Sequence, residues 1–435
     1  MATVITRLEA YGYRCFPVFS LDLGPYHVLT GANGAGKTTL LDIPTLLGEL
    51  LGAARPSDVF LRTQASHPVP RARTVGELLH NGRGTAITFS VEARLPADIE
   101  NAWATTSSGR SRTKPLTHLR YELSLEMFNY DLQVAEEYLF LFSERGDRPQ
   151  AGVRLQGSRS GGRLRREWRS VISRAPGSEV RFTAEPTTRT PRLPQFQIPD
   201  DKLALAGLPA DPTLFPAALW FIELLREGVV FFSPDWTALQ HGSAPNDPPT
   251  LLPSGRNLTW LALELQRANE NTGDDGFESW VDHVRTALPQ VEWISVRERE
   301  SDRYAYFVVD YAGGYQVTSS GLSEGTLRIL ALTLLPYLSR RMMPRLLVTE
   351  EPENGIHPRA IETVMQSLGS LYDTQVWVST HSPLVLAQTK LTDVLAARLD
   401  NDGAVTVVAG NQHPRLRGWK GSLDIGTLFA AGVLS

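Results

Sequence analysis

One nine-residue stretch, residues 31–39, constrains this chain more than any other part of it. Its sequence, GANGAGKTT, matches the phosphate-binding pattern G-x-x-x-x-G-K-[ST] at every fixed position. A short apolar run at residues 26–30 precedes it, and residues 40–43 have the character of a helix start. Strand, glycine loop and helix form the setting in which this pattern binds phosphates. We therefore predict an α/β nucleotide-binding fold; the alternative is a glycine turn with a purely structural role.

The residue types in the loop predict how phosphates would be held. Glycines let successive backbone N–H groups point at an anion, and a helix N-terminus adds partial positive charge. Lys37 is placed to reach the β- and γ-phosphates, and the Thr38 hydroxyl is placed to bind Mg²⁺. The predicted nucleotide-binding residues of the loop are Asn33, Gly34, Ala35, Gly36, Lys37, Thr38 and Thr39.

Composition narrows the class of protein. The 435 residues are enough for two or three compact units with a large core. The net charge of −4 gives no general attraction for nucleic acid, so DNA contacts would need a local patch. The single cysteine, Cys15, excludes an internal disulfide and fits a reducing, cytoplasmic location. No signal segment or membrane-spanning apolar run occurs, so we expect no membrane partner.

The first half of the chain predicts mainly antiparallel strands. Residues 3–9 and 21–23 suggest a hairpin with its turn at Pro17, and residues 84–184 suggest an antiparallel sheet. The helix after the phosphate loop should kink or break at Pro44, and residues 53–83 read as loop. Arg14 either approaches the nucleotide or is a surface arginine. Gln64 either positions Mg²⁺ and water or is an ordinary loop amide.

Two arginine-rich polar stretches, residues 107–114 and 154–174, interrupt the predicted antiparallel sheet. The arginines of interest in the second are Arg159, Arg163, Arg165, Arg166 and Arg169. One interpretation is a strip that binds the phosphate backbone of DNA or a partner protein. The other is a solvated hairpin in an arginine-rich proteome.

The second half predicts helices between short strands. Residues 185–215 read as irregular, and Asn257 is the expected N-cap of the helix at 258–269. The other predicted elements are helices at 217–227 and 277–288 and strands at 229–232, 291–297 and 304–311.

The pentapeptide LSEGT, residues 322–326, precedes a predicted helix at 327–335. Ser323 and Gly325 at a helix N-terminus would form an anion site. Because the chain already has one phosphate loop, we interpret this second site as a contact to the γ-phosphate of a nucleotide held by another copy of the chain.

A predicted buried strand at 345–349 delivers two adjacent carboxylates, Glu350 and Glu351. Side chains alternate along a strand, so we expect the two to have different tasks. Glu350 is placed to hold Mg²⁺, and Glu351 is placed to polarise the attacking water. The alternative is a charged strand end.

A further predicted strand, residues 375–379, leads to His381. A neutral imidazole at this strand end can hydrogen-bond the γ-phosphate and sense its presence. A lone histidine is otherwise a surface or core residue.

Four motifs in this order, GANGAGKTT, LSEGT, LLVTEEPENGIHP and VSTHSP, resemble the ABC-type ATPase heads of the RecF, SMC and OLD (overcoming lysogenization defect) group. EEPENGIHP is most similar to stand-alone, AAA-family OLD-like ATPases, many of which work in bacterial anti-phage systems. The resemblance covers residues 1–50 and most of 255–390. It implies an α/β ABC-type P-loop ATPase head with a mixed sheet, an antiparallel β subdomain and a helical signature lobe. Two heads would sandwich two ATP molecules with Mg²⁺, as a homodimer or higher homo-oligomer.

The resemblance also implies a division of the chain, with two departures from the family pattern. The head would comprise residues 1–95 and 256–410, with a β-rich and helical insert at 96–255 and a tail at 411–435. Glu350 stands where many relatives have aspartate, which puts the metal geometry in doubt. Because the stretch after His381 is short, we expect no Toprim-type nuclease domain after the head. Residues 420–429 either dock on another protein or form a final helix packed on their own domain.

The expected function is that of a sensor or regulator in anti-phage defence, which hydrolyses ATP and controls a separately encoded effector. The main alternative is a RecF-like DNA repair or chromosome-maintenance ATPase that binds DNA through the arginine-rich loops. A transporter ATPase subunit fits less well, because such subunits are usually shorter and lack a long insert. The absence of heptad repeats argues against an SMC-type tether.

Overall fold

The computed structural model describes residues 3–64, 69–106, 115–158, 167–185, 193, 195–273, 275–400, 402–413 and 425–430. The strands of this part are, in chain order, β1 (Ile5–Tyr13), β2 (Phe16–Asp22), β3 (Tyr26–Gly31), β4 (Ala86–Arg94), β5 (His118–Phe128), β6 (Asp131–Phe142), β7 (Arg169–Arg174), β8 (Val180–Phe182), β9 (Gln195–Phe196), β10 (Val229–Phe232), β11 (Val291–Glu298), β12 (Ala305–Tyr311), β13 (Tyr315–Thr318), β14 (Leu346–Glu350), β15 (Gln375–Ser379), β16 (Val394–Leu399) and β17 (Val405–Ala409). The helices are α1 (Lys37–Gly52), α2 (Pro56–Leu61), α3 (Ala97–Thr106), α4 (Pro216–Arg226), α5 (Trp236–His241), α6 (Leu258–Thr272), α7 (Gly276–Ala287), α8 (Glu324–Leu334), α9 (Pro358–Gly369), α10 (Pro383–Ala387) and α11 (Ile425–Ala430).

An eight-stranded antiparallel sheet has the order β2-β1-β4-β5-β6-β7-β8-β9. It confirms the sheet predicted over residues 84–184 and also takes in the N-terminal hairpin. The prediction of a turn at Pro17 is wrong, because the chain turns at Arg14 and Cys15. Pro17 lies inside β2, the edge strand of this sheet, where a missing backbone donor is tolerated.

A six-stranded mixed sheet has the order β10-β14-β15-β3-β16-β17, and only β17 pairs antiparallel. Its inner strands β14, β15 and β3 are buried on both faces, as parallel strands usually are. Trp377 belongs to the core shared with α1 and the antiparallel sheet, whereas Val376 and Val378 belong to the core shared with helices α6 to α9. The carboxyl ends of β3, β14 and β15 meet at one edge, where ligands bind in open α/β sheets.

The helix after the phosphate loop was predicted to end near Leu51 with Pro44 inside it, and the structure confirms this extent. Helix α1 continues through Pro44 to Gly52, so it does not break early. The predicted loop at 53–83 contains α2 and two short 3₁₀ turns. Arg71 fixes this segment to α1 through buried ion pairs with Asp42, at 2.6 Å, and Glu49, at 2.5 Å.

The three-stranded sheet β11-β12-β13 and helices α5 to α9 pack around the core that contains Val376 and Val378, on one face of the mixed sheet. Asn257 precedes α6 as predicted, but it does not cap that helix. Its buried side chain accepts a hydrogen bond from the Leu252 N–H and donates to the Pro248 and Thr250 carbonyls. The side chain therefore fixes the proline-rich loop before the helix.

Helix α11, which lies in the tail, packs against α10, and Leu428 is buried there. This contact matches a final helix packed on its own domain. In the ranges that the structure describes, every helix is too short or too polar to cross a membrane.

Candidate nucleotide-binding site

A cleft of about 550 Å³ opens at the carboxyl edge of the mixed sheet, above the start of α1. The predicted site residues that line it are Asn33, Gly34, Gly36, Lys37, Thr38, Thr39, Glu350, Glu351 and His381. Three further residues line the cleft without a role predicted from the sequence: Cys15, Asn354 and Ser379. Arg14, for which two interpretations were open, also lines it. Ala35 is buried within the loop, and Ser323 and Gly325 do not line the cleft.

The glycines of the loop are required by close approaches and by backbone conformation. Gly34 and Gly36 have φ of 79° and 72°, in the left-handed region that favours glycine. A Cβ on Gly36 would lie 2.5 Å from the Cys15 sulfur, and one on Gly31 would lie 2.3 Å from the Ala397 carbonyl oxygen. The loop can therefore curl tightly between the β1–β2 turn and β16.

The Lys37 ammonium lies over the loop and not in solvent. Its Nζ donates hydrogen bonds to the carbonyl oxygens of Gly31, at 2.9 Å, and Ala32, at 3.0 Å. Burial lowers the pKa of Lys37, while the nearby carboxylates of Glu351 and Glu350 raise it. Lys37 is thus a positive group held above the N-terminus of α1, where an anion would also be stabilised.

Thr38 and Glu350 bring two oxygen groups together. The Thr38 hydroxyl donates a 2.5 Å hydrogen bond to Glu350 Oε1. Hydroxyl and carboxylate oxygens suit Mg²⁺, which usually keeps several waters and shares its remaining ligands with phosphate groups. The described residues contain no cluster of three His, Cys, Asp or Glu side chains able to hold a metal alone. The donor set therefore fits Mg²⁺ bound together with a nucleotide.

Glu351 lies outside the strand that delivers Glu350. Strand β14 ends at Glu350, and Glu351 has φ of 43°, a left-handed conformation that is uncommon for this residue type. Its N–H donates to the Ser379 carbonyl at 2.9 Å, and its carboxylate accepts a hydrogen bond from the Asn354 amide. The two carboxylates therefore point in different directions because the backbone turns at Glu351. The prediction that strand alternation would separate them is wrong, since Glu351 is not in the strand.

His381 faces Glu351 across the cleft, with 3.7 Å between His381 Nε2 and Glu351 Oε1. Burial and the charge of Lys37 lower the pKa of His381, against an opposing effect of Glu351 and Glu350. A lowered pKa favours the neutral form of the imidazole.

Arg14 is half-buried and lines the cleft, a position from which it could approach a nucleotide, and this role stays a prediction. It has φ of 49° at the β1–β2 turn, and its N–H donates to the Leu78 carbonyl at 2.8 Å. Its guanidinium donates to the carbonyl oxygen of Arg71. Gln64 does not line the cleft; its amide donates to the Asp58 carbonyl at 3.0 Å and closes the end of α2, as an ordinary loop amide does.

Ser323 and Gly325 lie at the N-terminus of α8, apart from the cleft. The Ser323 hydroxyl accepts a hydrogen bond from the Thr326 N–H at 3.2 Å and caps the helix. A Cβ on Gly325 would lie 2.5 Å from the Gly355 carbonyl oxygen, so the start of α8 packs on the loop that follows Glu351. One chain alone does not bring these residues to Lys37, and the shared site stays a prediction.

Most of the arginine-rich stretches fall outside the described residues, including 107–114 and Arg159, Arg163, Arg165 and Arg166. Arg169 is described, at the start of β7. Its guanidinium donates to the Ala184 carbonyl at 2.8 Å, which is a structural contact.

Comparison with solved structures shows which known fold this chain shares. A crystal structure of the Smc head bound to the C-winged helix domain of ScpA is 11% identical and matches 93% of this chain and 97% of its own, with a TM-score of 0.50. A Smc head with an extended coiled coil, bound to the C-terminal domain of ScpA derived from Pyrococcus furiosus, is 11% identical over 93% and 96%, with a TM-score of 0.46. The SMC head from Thermotoga maritima is 12% identical over 94% and 99%, with a TM-score of 0.39. The first match confirms the predicted ABC-type P-loop ATPase head fold.

Residues 130–387 match the family described as "AAA domain, putative AbiEii toxin, Type IV TA system". The match covers more than half of the chain, and the protein belongs to this family. The matched part includes both carboxylates and His381 but begins after the phosphate loop. No curated protein matches the sequence.

Proposed function

We propose that this chain is an ATPase that binds ATP with Mg²⁺ and hydrolyses it between two copies of the head. One observation carries the proposal: Lys37, Thr38, Glu350, Glu351 and His381, from three separate strand ends, face a single cleft. The positive lysine, the paired oxygen ligands and the second carboxylate are the groups that phosphoryl transfer to water uses.

Each side chain has a distinct role in this proposal. Lys37 and the loop N–H groups bind the β- and γ-phosphates, and Thr38 and Glu350 hold Mg²⁺. The ion, when bound, neutralises phosphate charge as it develops during transfer. Glu351 accepts a proton from the attacking water, and neutral His381 donates a hydrogen bond to the γ-phosphate.

The proposed dimer follows from the position of the signature residues. Ser323 and Gly325 begin a helix whose N-terminus attracts anions, yet they do not line the cleft of their own chain. A second copy, facing the first head to head, would place its Ser323 on the γ-phosphate. ATP would then hold the two heads together.

We further propose that the head is a sensor or regulator in bacterial anti-phage defence, controlling a separately encoded effector. The resemblance of EEPENGIHP to OLD-like ATPases supports this role, as does a family description that names a toxin of a toxin–antitoxin system. The Smc head bound to a domain of ScpA is an example, in that protein, of this fold with a separate partner. The RecF-like alternative depends on arginines that are mostly outside the described residues, so no described contact favours it.

The test is co-purification of the full chain with the products of neighbouring genes, with ATP and without nucleotide. Wild type is compared with Glu351→Gln, which should hold the ATP-bound state. We expect one neighbouring product to bind in a nucleotide-dependent manner, and cells that carry both genes to resist phage. A measurable ATPase activity without a nucleotide-dependent partner or phage resistance would contradict the defence role and leave the ATPase assignment standing.

A further inference from the structure

Glu353 is a buried carboxyl group next to the cleft that the proposed chemistry does not use. It lies two residues after Glu351, is only 9% exposed and does not line the cleft. The Thr380 hydroxyl donates a hydrogen bond to Glu353 Oε1. Glu353 Oε2 has no hydrogen-bond partner among the described residues. A buried carboxyl group with one unpaired oxygen lowers the stability of the fold, so its presence needs an explanation.

The partner of Glu353 belongs to the turn that carries His381. We call residues 379–382 the histidine turn. Within it, the Thr380 hydroxyl also accepts a 2.9 Å hydrogen bond from the Ser382 N–H. Thr380 and Ser382, the two neighbours of His381 in the chain, are therefore hydrogen-bonded to each other. The Thr380 N–H donates to the Leu29 carbonyl at 3.0 Å, which fixes the start of the turn on β3.

The backbone before His381 is fixed by the hydrogen bonds from Thr380 to Leu29 and from Glu351 to Ser379, but the His381 side chain has no such support among the described residues. Its side chain is about one-third exposed, and its ring lies 3.7 Å from Glu351 without a hydrogen bond. In the part of the chain that the structure describes, Glu353 is the one side chain outside the histidine turn that hydrogen-bonds to it. A short connection therefore runs from the Glu353 carboxylate through the Thr380 hydroxyl to the backbone on either side of His381.

We propose that Glu353 is a positioning residue that holds His381 in place through Thr380. The proposal rests on the proposed ATPase function. Because Glu353 does not line the cleft, its loss should affect turnover and leave nucleotide affinity nearly unchanged. Misplacing a catalytic group by about 1 Å can reduce a rate by roughly 100-fold, so a lost anchor has a measurable effect.

The experiment measures kcat, KM and ATP affinity in the full-length chain. Glu353→Ala should lower kcat by roughly 10- to 100-fold with ATP affinity within about twofold of wild type. Glu353→Gln keeps the shape of the side chain and an oxygen acceptor for the Thr380 hydroxyl, so it should restore most of kcat. A glutamine variant as slow as the alanine variant would overturn the proposal.

A double-mutant cycle separates positioning from general damage. In a His381→Ala background, Glu353→Ala should change kcat by less than about twofold, because the group that it positions is already gone. An equal loss in both backgrounds would show that Glu353 acts elsewhere and would overturn the proposal. Glu185→Ala is the matched control, since it removes another buried carboxyl, one that accepts hydrogen bonds from the Ala217 and Ala218 N–H groups. It should lower thermal stability without changing kcat in the folded protein.

If Glu353→Ala fails to fold, the pair Thr380→Val and Thr380→Ser decides the matter. The valine variant has nearly the same shape but lacks the hydroxyl, and it should lose kcat, whereas the serine variant should keep it. Wild-type kcat in Thr380→Val would overturn the positioning role while leaving the proposed ATPase function intact. Absence of hydrolysis by wild type would instead overturn the proposed function, and this inference with it.

Discussion

The Thr38 hydroxyl donates a 2.5 Å hydrogen bond to Glu350, which lies 312 positions later in the chain. The contact depends on register: Glu350 pairs with Ser379 in β15, and Ser379 pairs with Leu29 in β3. A parallel sheet in this register aligns the three strand ends. The phosphate loop, the carboxylates and the histidine turn therefore lie side by side at the carboxyl edge of the sheet. The site is therefore a property of the sheet topology as well as of its motifs.

Lys37→Ala should remove most of the affinity for ATP. The loop N–H groups would remain, but the charge of the γ-phosphate would lose its main protein counter-charge. Isothermal titration calorimetry of ATP binding is the measurement, with Lys390→Ala, an exposed lysine outside the cleft, as control. Wild-type affinity in Lys37→Ala would contradict the nucleotide-binding assignment.

Ser323→Arg should leave ATP binding by a single chain intact and prevent hydrolysis. A bulky cation at the N-terminus of α8 would block the approach of the partner's nucleotide, while the chain's own cleft is unaffected. Sedimentation with ATP and steady-state hydrolysis are the measurements. Ser301→Arg, in the exposed turn between β11 and β12, is the control. Normal hydrolysis by Ser323→Arg would rule out a site shared between two heads.

The local motifs could be predicted from the sequence because each combines a strand with a fixed chemical group. Each predicted group ends or follows a buried strand, and the strand pattern places all of them at one edge of the mixed sheet. These groups are Lys37, Thr38, Glu350 and His381. Glu353 carries no such signal, because its role depends on a side-chain contact to Thr380 across two loops. Contacts of this kind are fixed only by tertiary packing.

The antiparallel sheet shows a second limit of sequence patterns. Alternation predicts a polar face in solvent, yet Glu9, Glu92, Arg120 and Glu122 are fully buried on the same sheet. Arg120 makes ion pairs with all three glutamates, at 2.5 to 2.8 Å. The Gly152 N–H donates to Glu9, and the N–H groups of Gln156 and Gly157 donate to Glu122, so the segment at 152–157 covers the network. A charged face in solvent and a buried charge network have the same alternation of polar and apolar residues in the sequence. They differ only in whether another segment, here residues 152–157, covers the polar face.

Replacing Arg163, Arg165 and Arg166 with alanine tests the DNA-binding alternative. Each lost phosphate contact should lower the log–log slope of affinity against salt by about one unit. Arg169 is kept, because it donates to the Ala184 carbonyl. Fluorescence anisotropy with duplex DNA over a salt series is the measurement, and Arg340→Ala with Arg341→Ala is the control at exposed arginines. Unchanged affinity and slope would remove the main support for a RecF-like role.

Glu185→Gln should change the pH dependence of stability. Burial raises the pKa of Glu185 from 4.5 to about 7. The hydrogen bonds that its carboxylate accepts from the Ala217 and Ala218 N–H groups oppose this rise. Between these pH values the folded chain holds more protons than the unfolded chain, so this group's contribution is full below 4.5 and is lost as pH rises through about 7. Urea unfolding of both proteins over this range is the measurement. The fall in unfolding free energy should be smaller in Glu185→Gln, and equal falls would contradict the shift.

Glu351→Gln and Glu350→Gln should have different defects. Glu351→Gln keeps the shape and loses the base, so ATP should bind with near-normal affinity while turnover falls by roughly 10²–10⁴-fold, the usual contribution of a positioned general base. The closed, ATP-bound dimer should then accumulate. Glu350→Gln retains an acceptor for the Thr38 hydroxyl but loses a charged oxygen ligand, so its defect should shrink as the Mg²⁺ concentration rises.

Single-turnover hydrolysis and ATP affinity, measured for both variants over a Mg²⁺ series, distinguish the two roles. The left-handed backbone at Glu351 turns its carboxylate toward Asn354 and His381, whereas Glu350 points at Thr38. Metal should therefore rescue only the variant whose side chain faces the Thr38 hydroxyl. If rising Mg²⁺ rescues Glu351→Gln and leaves Glu350→Gln defective, the base and the metal ligand are assigned the wrong way round.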